Sequence, residues 1–266
     1  MLGSASRIMG AVETDPLESF VRRTQKGKRA LVQEQWADAI AAALFDGTGC
    51  VPAHTSGRGE VFRFPCGPRW GILRRYLRGG AIRHVLNDAY VLANRPLREL
   101  KVHARLYQMG LSVPEPLGAC WERRGLLVRG ALATAEVDAD TLLDYLRSGP
   151  ADADVILRRC GALIREMHDL DVFHADLQVR NILVGADKVY LLDFDNARFA
   201  GSLSPLERAR NLFRLRRSIE KTGLPLEHFQ TICEGYGAEA LPAWAGRIYK
   251  AKGRLSDALS GRKKTP

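Results

Sequence analysis

Cysteine is sparse and scattered: five residues, at 50, 66, 120, 160 and 233, with no Cys-x-x-Cys pair among them. The odd count and the spacing argue against a disulfide framework or a zinc site, so a reducing compartment is expected. Also missing is any apolar run near the roughly 20 residues that a bilayer-spanning helix needs, and the first residues have no signal-like apolar core. A soluble or peripheral protein is therefore expected. Acidic residues are in deficit, 30 Asp plus Glu against 40 Lys plus Arg, for a net charge of +10. Such an excess favours anionic partners (nucleic acid, phosphorylated sugar or an acidic membrane surface) without choosing among them. With 266 residues, 46% of them hydrophobic, the chain can build one large domain or two lobes sharing a cleft.

What is present is concentrated between residues 173 and 195, Phe-His-Ala-Asp-Leu-Gln-Val-Arg-Asn-Ile-Leu-Val, a short polar stretch, then Tyr-Leu-Leu-Asp-Phe-Asp. Ile182 to Val184 read as one strand, the stretch from Gly185 to Lys188 as a turn and Val189 to Leu192 as a second strand, a hairpin ending at Asp193. Asp176 and Asn181 flank the turn that enters it. Phosphoryl transfer asks a protein for a positioned hydroxyl, in-line geometry and cations that neutralise the phosphate oxygens. A carboxylate beside the hydroxyl, Asp176, with an amide and a second carboxylate on magnesium, Asn181 and Asp193, meets those needs. The pattern His-x-Asp, Asn five residues later and a following Asp-Phe-x is that of a kinase catalytic loop and metal site. His174 is read as bracing the loop and His168 as a core histidine at a helix end. The alternative is a surface hairpin whose polar residues merely cap turns.

Elsewhere the reading is coarser. Residues 1 to about 30 are basic and weakly patterned, a solvated lead-in or a contact to an anionic surface. Trp36, Ile40 and Leu44 recur at helical spacing. Gly57 and Gly59 open an alternating strand; they either make a turn or let backbone N–H groups approach phosphates. The strand through Trp70 to Tyr76 carries Arg74 where a kinase has its phosphate-pairing lysine, with Arg75 on the opposite face. Pro96 starts a helix that Gly110 stops; Glu99 on it is either the partner of Arg74 or an exposed carboxylate favoured by the helix dipole. Strands follow near Leu117 to Cys120 and Leu126 to Val128, then a hinge at 129–135 and a helix over 141–147. A buried helix carries Ile156, Cys160, Leu163 and Met167. A further helix over 205–221 has Leu212, Leu215 and Ile219 inward and Arg210, Arg214 and Arg217 opposite, either a solvated face or a receiver for an anionic acceptor. A weaker helix spans 244–249, before a basic tail at 262–264. The regions are an N-terminal extension over 1–50, a first lobe over 51–130 and a second over 131–266.

Together, Arg74-Arg75-Tyr76-Leu77-Arg78-Gly79-Gly80, the Arg98-Glu99 helix before Gly110 to Pro116, His174-Ala175-Asp176-Leu177 with Asn181-Ile182-Leu183, and Leu192 to Asp195 resemble the 3-deoxy-D-manno-octulosonic acid (Kdo) kinase family, relatives of the lipopolysaccharide core heptose kinases. The resemblance covers roughly residues 55 to 220. It implies an α+β, bilobal protein-kinase-like fold with an antiparallel β-sheet first lobe and a mainly helical second. It implies ATP and magnesium as cofactors, Kdo-lipid A as acceptor at its 4-hydroxyl, and a peripheral place at the cytoplasmic face of the bacterial inner membrane. Carried over by position, Asp176 would be the base, Asn181 and Asp193 the metal ligands, Arg74 the cation in the lysine position and Glu99 its partner. Gly57 and Gly59 would lie over the nucleotide. A net charge of +10 suits an anionic glycolipid on an anionic surface, and nucleic acid is not the expected partner. Ala175 stands where regulated protein kinases have an arginine, so constitutive action on a non-protein acceptor is expected. Two rivals remain: a small-molecule phosphotransferase of the aminoglycoside or choline type, whose cationic acceptors the arginine-rich segments oppose, and a non-catalytic kinase-like scaffold, which the intact metal-site residues oppose.

Overall fold

The computed structural model describes residues 15–53, 61–76, 94–124 and 127–237. Gly57, Gly59, the Arg78 to Gly80 stretch, the helix expected over 244–249 and the basic tail lie outside the described residues. Two compact units emerge, one within Met1–Met109 and Glu115–Glu136, the other within Gly110–Pro114 and Val137–Pro266.

The first unit is built on an antiparallel sheet. Its elements are β1 (Phe20–Gln25), β2 (Lys28–Gln33), α1 (Ala37–Asp46), β3 (Val51–Pro52), β4 (Val61–Cys66), β5 (Arg69–Arg75), α2 (Arg95–Gln108), β6 (Pro116–Arg124) and β7 (Leu127–Ala135). The strands lie in the order β1-β2-β6-β7-β5-β4-β3. Both faces are covered, and strand alternation decides which residue goes where. Ala30, Val32, Leu73, Cys120, Ala131 and Ala133 pack with α1 through Ile40, Leu44 and Phe45. Their neighbours on the other face, Leu31, Ala119 and Leu132, pack with Leu100 and Ala104 of α2.

Two expectations are corrected here. The supposed lead-in over 20–30 is a hairpin, β1 paired to β2 from Phe20↔Gln33 to Gln25↔Lys28, and β2 continues onto β6. Lys26 and Gly27 take φ of 47° and 82° at the turn, the two left-handed positions of a tight hairpin turn, the second of which glycine adopts without strain. With α1 on the core, residues 20–46 are part of the sheet and its packing rather than an extension. The hinge expected at 129–135 is likewise the body of β7, which pairs with β5 on one side and β6 on the other; Ala131, Leu132 and Ala133 are all buried.

The second unit contains β8 (Ala139–Thr141), α3 (Leu142–Arg147), α4 (Ala153–Asp169), β9 (Val172–Phe173), β10 (Ile182–Gly185), β11 (Val189–Leu191), β12 (Arg198–Phe199), α5 (Pro205–Thr222) and α6 (Glu227–Tyr236). β10 and β11 form the expected hairpin, with β8 on its far side, and β9 pairs with β12. α3 starts on the Thr141 hydroxyl, which accepts the Asp144 N–H. α5 starts at Ser204 in a reciprocal capping box with Glu207, has Pro205 in its first turn and ends at Gly223.

α4 and α6 meet at glycine. A methyl group on Gly161 would lie 2.0 Å from the Ile232 carbonyl oxygen, and one on Gly235 would lie 2.1 Å from that of Arg158. Glycine in a helix ordinarily weakens it against alanine by roughly 0.5–1 kcal/mol. Here the backbones touch, so the sign reverses. Gly161→Ala is expected to destabilise the chain by about 1–3 kcal/mol, the usual cost of overpacking, read as a lower denaturation midpoint in urea; a gain in stability would show that the helices do not approach this closely.

Candidate active site

The loop after α4 brings Asp176, Asn181 and Asp193 together by using the backbone of one residue, Leu192. His174 Nε2–H donates to the Leu192 carbonyl at 2.9 Å, and the Leu192 N–H donates to the Asn181 carbonyl at 2.9 Å. The Asn181 side-chain amide donates to the Asp176 carbonyl at 2.9 Å. Asp193 is the next residue in the chain, so the hairpin end and both ends of the loop are tied at one point. With its N–H group committed to Asp176, Asn181 has its amide oxygen as the atom suited to a cation. Asn181 is buried, 8% exposed, whereas the Asp176 side chain is 51% exposed.

The backbone at Asp193 takes φ of 63°, and Asn196 φ of 60°. Asp and Asn are the non-glycine residues that visit this region most readily, because a short polar side chain can bond locally. Asp193 Oδ1 accepts from the Asp195 N–H at 3.4 Å, which is such a contact. Strained backbone of this kind gathers at functional sites. Phe194 between them is buried, its ring 5.2 Å from that of His174.

His174 braces the loop, as read from sequence. The Asp176 N–H donates to Nδ1 at 3.1 Å while Nε2–H donates to Leu192, which fixes the neutral tautomer. Burial holds this imidazole below its ordinary range. Asp176 itself meets two side chains: Gln178 Nε2–H donates to Oδ2 at 2.9 Å, and Arg214 Nη1–H donates to Oδ1 at 3.4 Å.

In the first unit, Arg74 and Glu99 form an ion pair at 2.5 Å with the Glu99 side chain 1% exposed. Tyr76 O–H donates to the other carboxylate oxygen, and the Arg74 guanidinium lies 5.3 Å from the Tyr76 ring. A carboxylate this deeply buried needs such partners; an exposed glutamate at a helix start is not what the structure contains. Arg75 is exposed and lies over Phe62 instead, at 4.9 Å.

Sequence reasoning missed the residues that hold the loop from behind. Asn211, fully buried on α5, accepts the His174 N–H at 3.1 Å and donates to the His174 carbonyl at 2.7 Å. Its oxygen also accepts from His168 Nε2–H at 3.1 Å, and Tyr236 O–H on α6 donates to His168 Nδ1 at 2.9 Å. An asparagine in the middle of an apolar helix stripe, and a tyrosine just after a helix glycine, were the available signals.

No group of three His, Cys, Asp or Glu able to hold a metal occurs among the described residues. Asn181 and Asp193 supply hard oxygen donors, fewer than a closed cage and suited to magnesium, which keeps waters and binds substrate phosphates. No described helix is long and apolar enough to cross a membrane.

Residues 56–236 match the model of the lipopolysaccharide kinase (Kdo/WaaP) family. A 3-deoxy-D-manno-octulosonic acid kinase of Vibrio cholerae is 31% identical over 198 residues, 72% of this chain and 83% of that protein. One from Photobacterium profundum is 33% identical over 218 residues, 77% of this chain and 91% of its own length. Among solved structures, WaaP in complex with acyl carrier protein superposes with a TM-score of 0.52 at 17% identity, covering 84% of this chain and 98% of that one. The fold is thus α+β and kinase-like.

The buried network has a pH signature. Burial pushes the His168 imidazole down from 6.5 to about 4, so the unfolded chain takes up a proton near 6.5 and the folded one only near 4. Stability is therefore fully present above pH 6.5 and falls as pH drops toward 4, by about 3 kcal/mol from this residue. Urea denaturation at pH 7.5 and 4.5 is expected to show a smaller difference for His168→Gln than for the native chain; an equal difference would remove His168 from the pH dependence.

Proposed function

Since the chain belongs to the lipopolysaccharide kinase (Kdo/WaaP) family, we propose that it is an ATP-dependent kinase that phosphorylates the 4-hydroxyl of Kdo in Kdo-lipid A. The observation that carries this reading is the tie at Leu192, which gathers a half-exposed carboxylate, an amide oxygen and a second carboxylate. That set matches the division of labour in phosphoryl transfer. Asp176 accepts the proton of the acceptor hydroxyl as that oxygen bonds to the γ-phosphorus; the bond from phosphorus to the bridging oxygen breaks and ADP leaves. Asn181 and Asp193 would hold magnesium, which when bound neutralises charge on the phosphate oxygens. Arg74, fixed by Glu99 and Tyr76, supplies a positive charge for the nucleotide phosphates, and Gly57 and Gly59 would lie over them.

The acceptor follows from the relatives that carry the name and from charge. Arg214 beside the base repels a cationic acceptor, which sets aside the aminoglycoside-type alternative. With a net charge of +10 the protein is drawn peripherally to the anionic cytoplasmic face of the inner membrane, where each basic residue near the surface contributes about 1 kcal/mol.

Mass spectrometry of the inner core from cells with and without this chain is expected to differ by one phosphate on Kdo; identical spectra would reject the acceptor. In purified protein, Asp176→Ala is expected to lower kcat at least about 10²-fold while ATP affinity persists. Asp193→Ala is expected to abolish magnesium-dependent turnover. Full activity in either variant would reject the assigned role.

A further inference from the structure

Asp176 carries a contact that proton transfer does not require. Gln178 is two residues away and is delivered to Oδ2 by the loop itself. Arg214 is 38 residues away and is delivered to Oδ1 by the register of α5, the helix whose Asn211 grips the His174 backbone. Its position relative to the base is therefore set by the same element that sets the loop. One turn earlier, the Arg210 guanidinium lies 5.5 Å from the Phe173 ring, and Arg198, paired with Glu207, lies 5.2 Å from the same ring. Positive charge thus runs along the chain segment that ends in the base.

Another arginine of this helix, less exposed than Arg214 (29% against 49%), pairs within the helix instead. Arg216 pairs with Glu220 one turn on, at 3.1 Å. Arg214 has Arg210 and Ser218 at the corresponding positions and reaches across to Asp176 instead. That contact is long, 3.4 Å, with both side chains about half exposed, 49% and 51%, so it adds little stability. A guanidinium has five N–H donors in a planar fork; a single one on Asp176 suits a residue that takes a second carboxylate edge-on.

Resting on the acceptor reading above, we propose that Arg214 is an acceptor-binding residue. It holds the carboxylate of the octulosonic acid beside Asp176. An acceptor lacking that carboxylate is then poorly held.

The test uses the full chain with three acceptors: Kdo-lipid A, the same glycolipid with the Kdo carboxyl methyl-esterified, and the same glycolipid with its lipid A phosphates removed. KM and kcat are measured for the native chain, Arg214→Gln and Arg214→Lys, with the KM for ATP as a check on folding. Arg214→Gln is expected to raise KM for the free acid at least about 10-fold, with kcat within about 3-fold. For the ester, native and Arg214→Gln KM values are expected to coincide. Arg214→Lys, which keeps the charge but not the fork, falls between. An equal rise in KM for acid and ester overturns the proposal, as does a fall in kcat at unchanged KM, or an effect of Arg214 that disappears with the lipid A phosphates instead of with esterification. If the native chain consumes ATP yet transfers nothing to Kdo-lipid A, the acceptor reading falls and this inference with it; native transfer indifferent to residue 214 removes this inference alone.

Discussion

The grip of one buried amide on one peptide unit underlies the rest of the site. Asn211 takes both the N–H and the carbonyl of His174 and still accepts from His168. Each such hydrogen bond contributes about 0.5–1.5 kcal/mol net, but leaving any of these buried groups unmet costs roughly 1–3 kcal/mol. Moving the loop would strand several at once. The loop is therefore held in one position by the penalty attached to the others.

Between Tyr236 and the loop the network is uncharged (tyrosine hydroxyl, neutral imidazole, amide, peptide, neutral imidazole), and charge enters at its outer end, where Arg208, paired with Asp169, bonds the Tyr236 hydroxyl. An ionic brace in the same place would carry the desolvation cost of buried ions and would add its own field beside Asp176 and Asp193. The first unit uses the other solution. Glu99 is buried and charged, and its two oxygens are divided between Arg74 and Tyr76. On the proposed role of Arg74 toward phosphates, these contacts hold the guanidinium in place before an anionic ligand arrives. Neutral bracing around the acids and ionic bracing around the cation both serve to fix a functional group without adding mobile charge.

How much of this could be read in advance followed the range of the interactions. The β10–β11 hairpin, α2, α4 and α5 were legible because their apolar spacing and their stops lie within each segment. Asp176, Asn181 and Asp193 were singled out because chemistry constrains their types and separations, and the structure ties their segments together at Leu192. The β1–β2 hairpin was hidden by Arg22, Arg23, Lys28 and Arg29, whose charge masks the alternation of Ala30 and Val32. The 129–135 segment looked like a hinge because it follows one apparent strand and precedes the helix over 141–147, although in the sheet its Ala131 and Ala133 pack under α1. Asn211, Tyr236 and Arg214 act on residues 37, 68 and 38 positions away, and no local pattern announces a partner at that distance.

The meeting of α4 and α6 at Gly161 and Gly235 reaches further than packing. Tyr236 follows Gly235 directly, so the closeness of the two backbones is also what delivers its hydroxyl to His168. The two helices cannot part without drawing that hydroxyl away from His168, so a crossing far along the chain from residue 174 governs how firmly the loop is held.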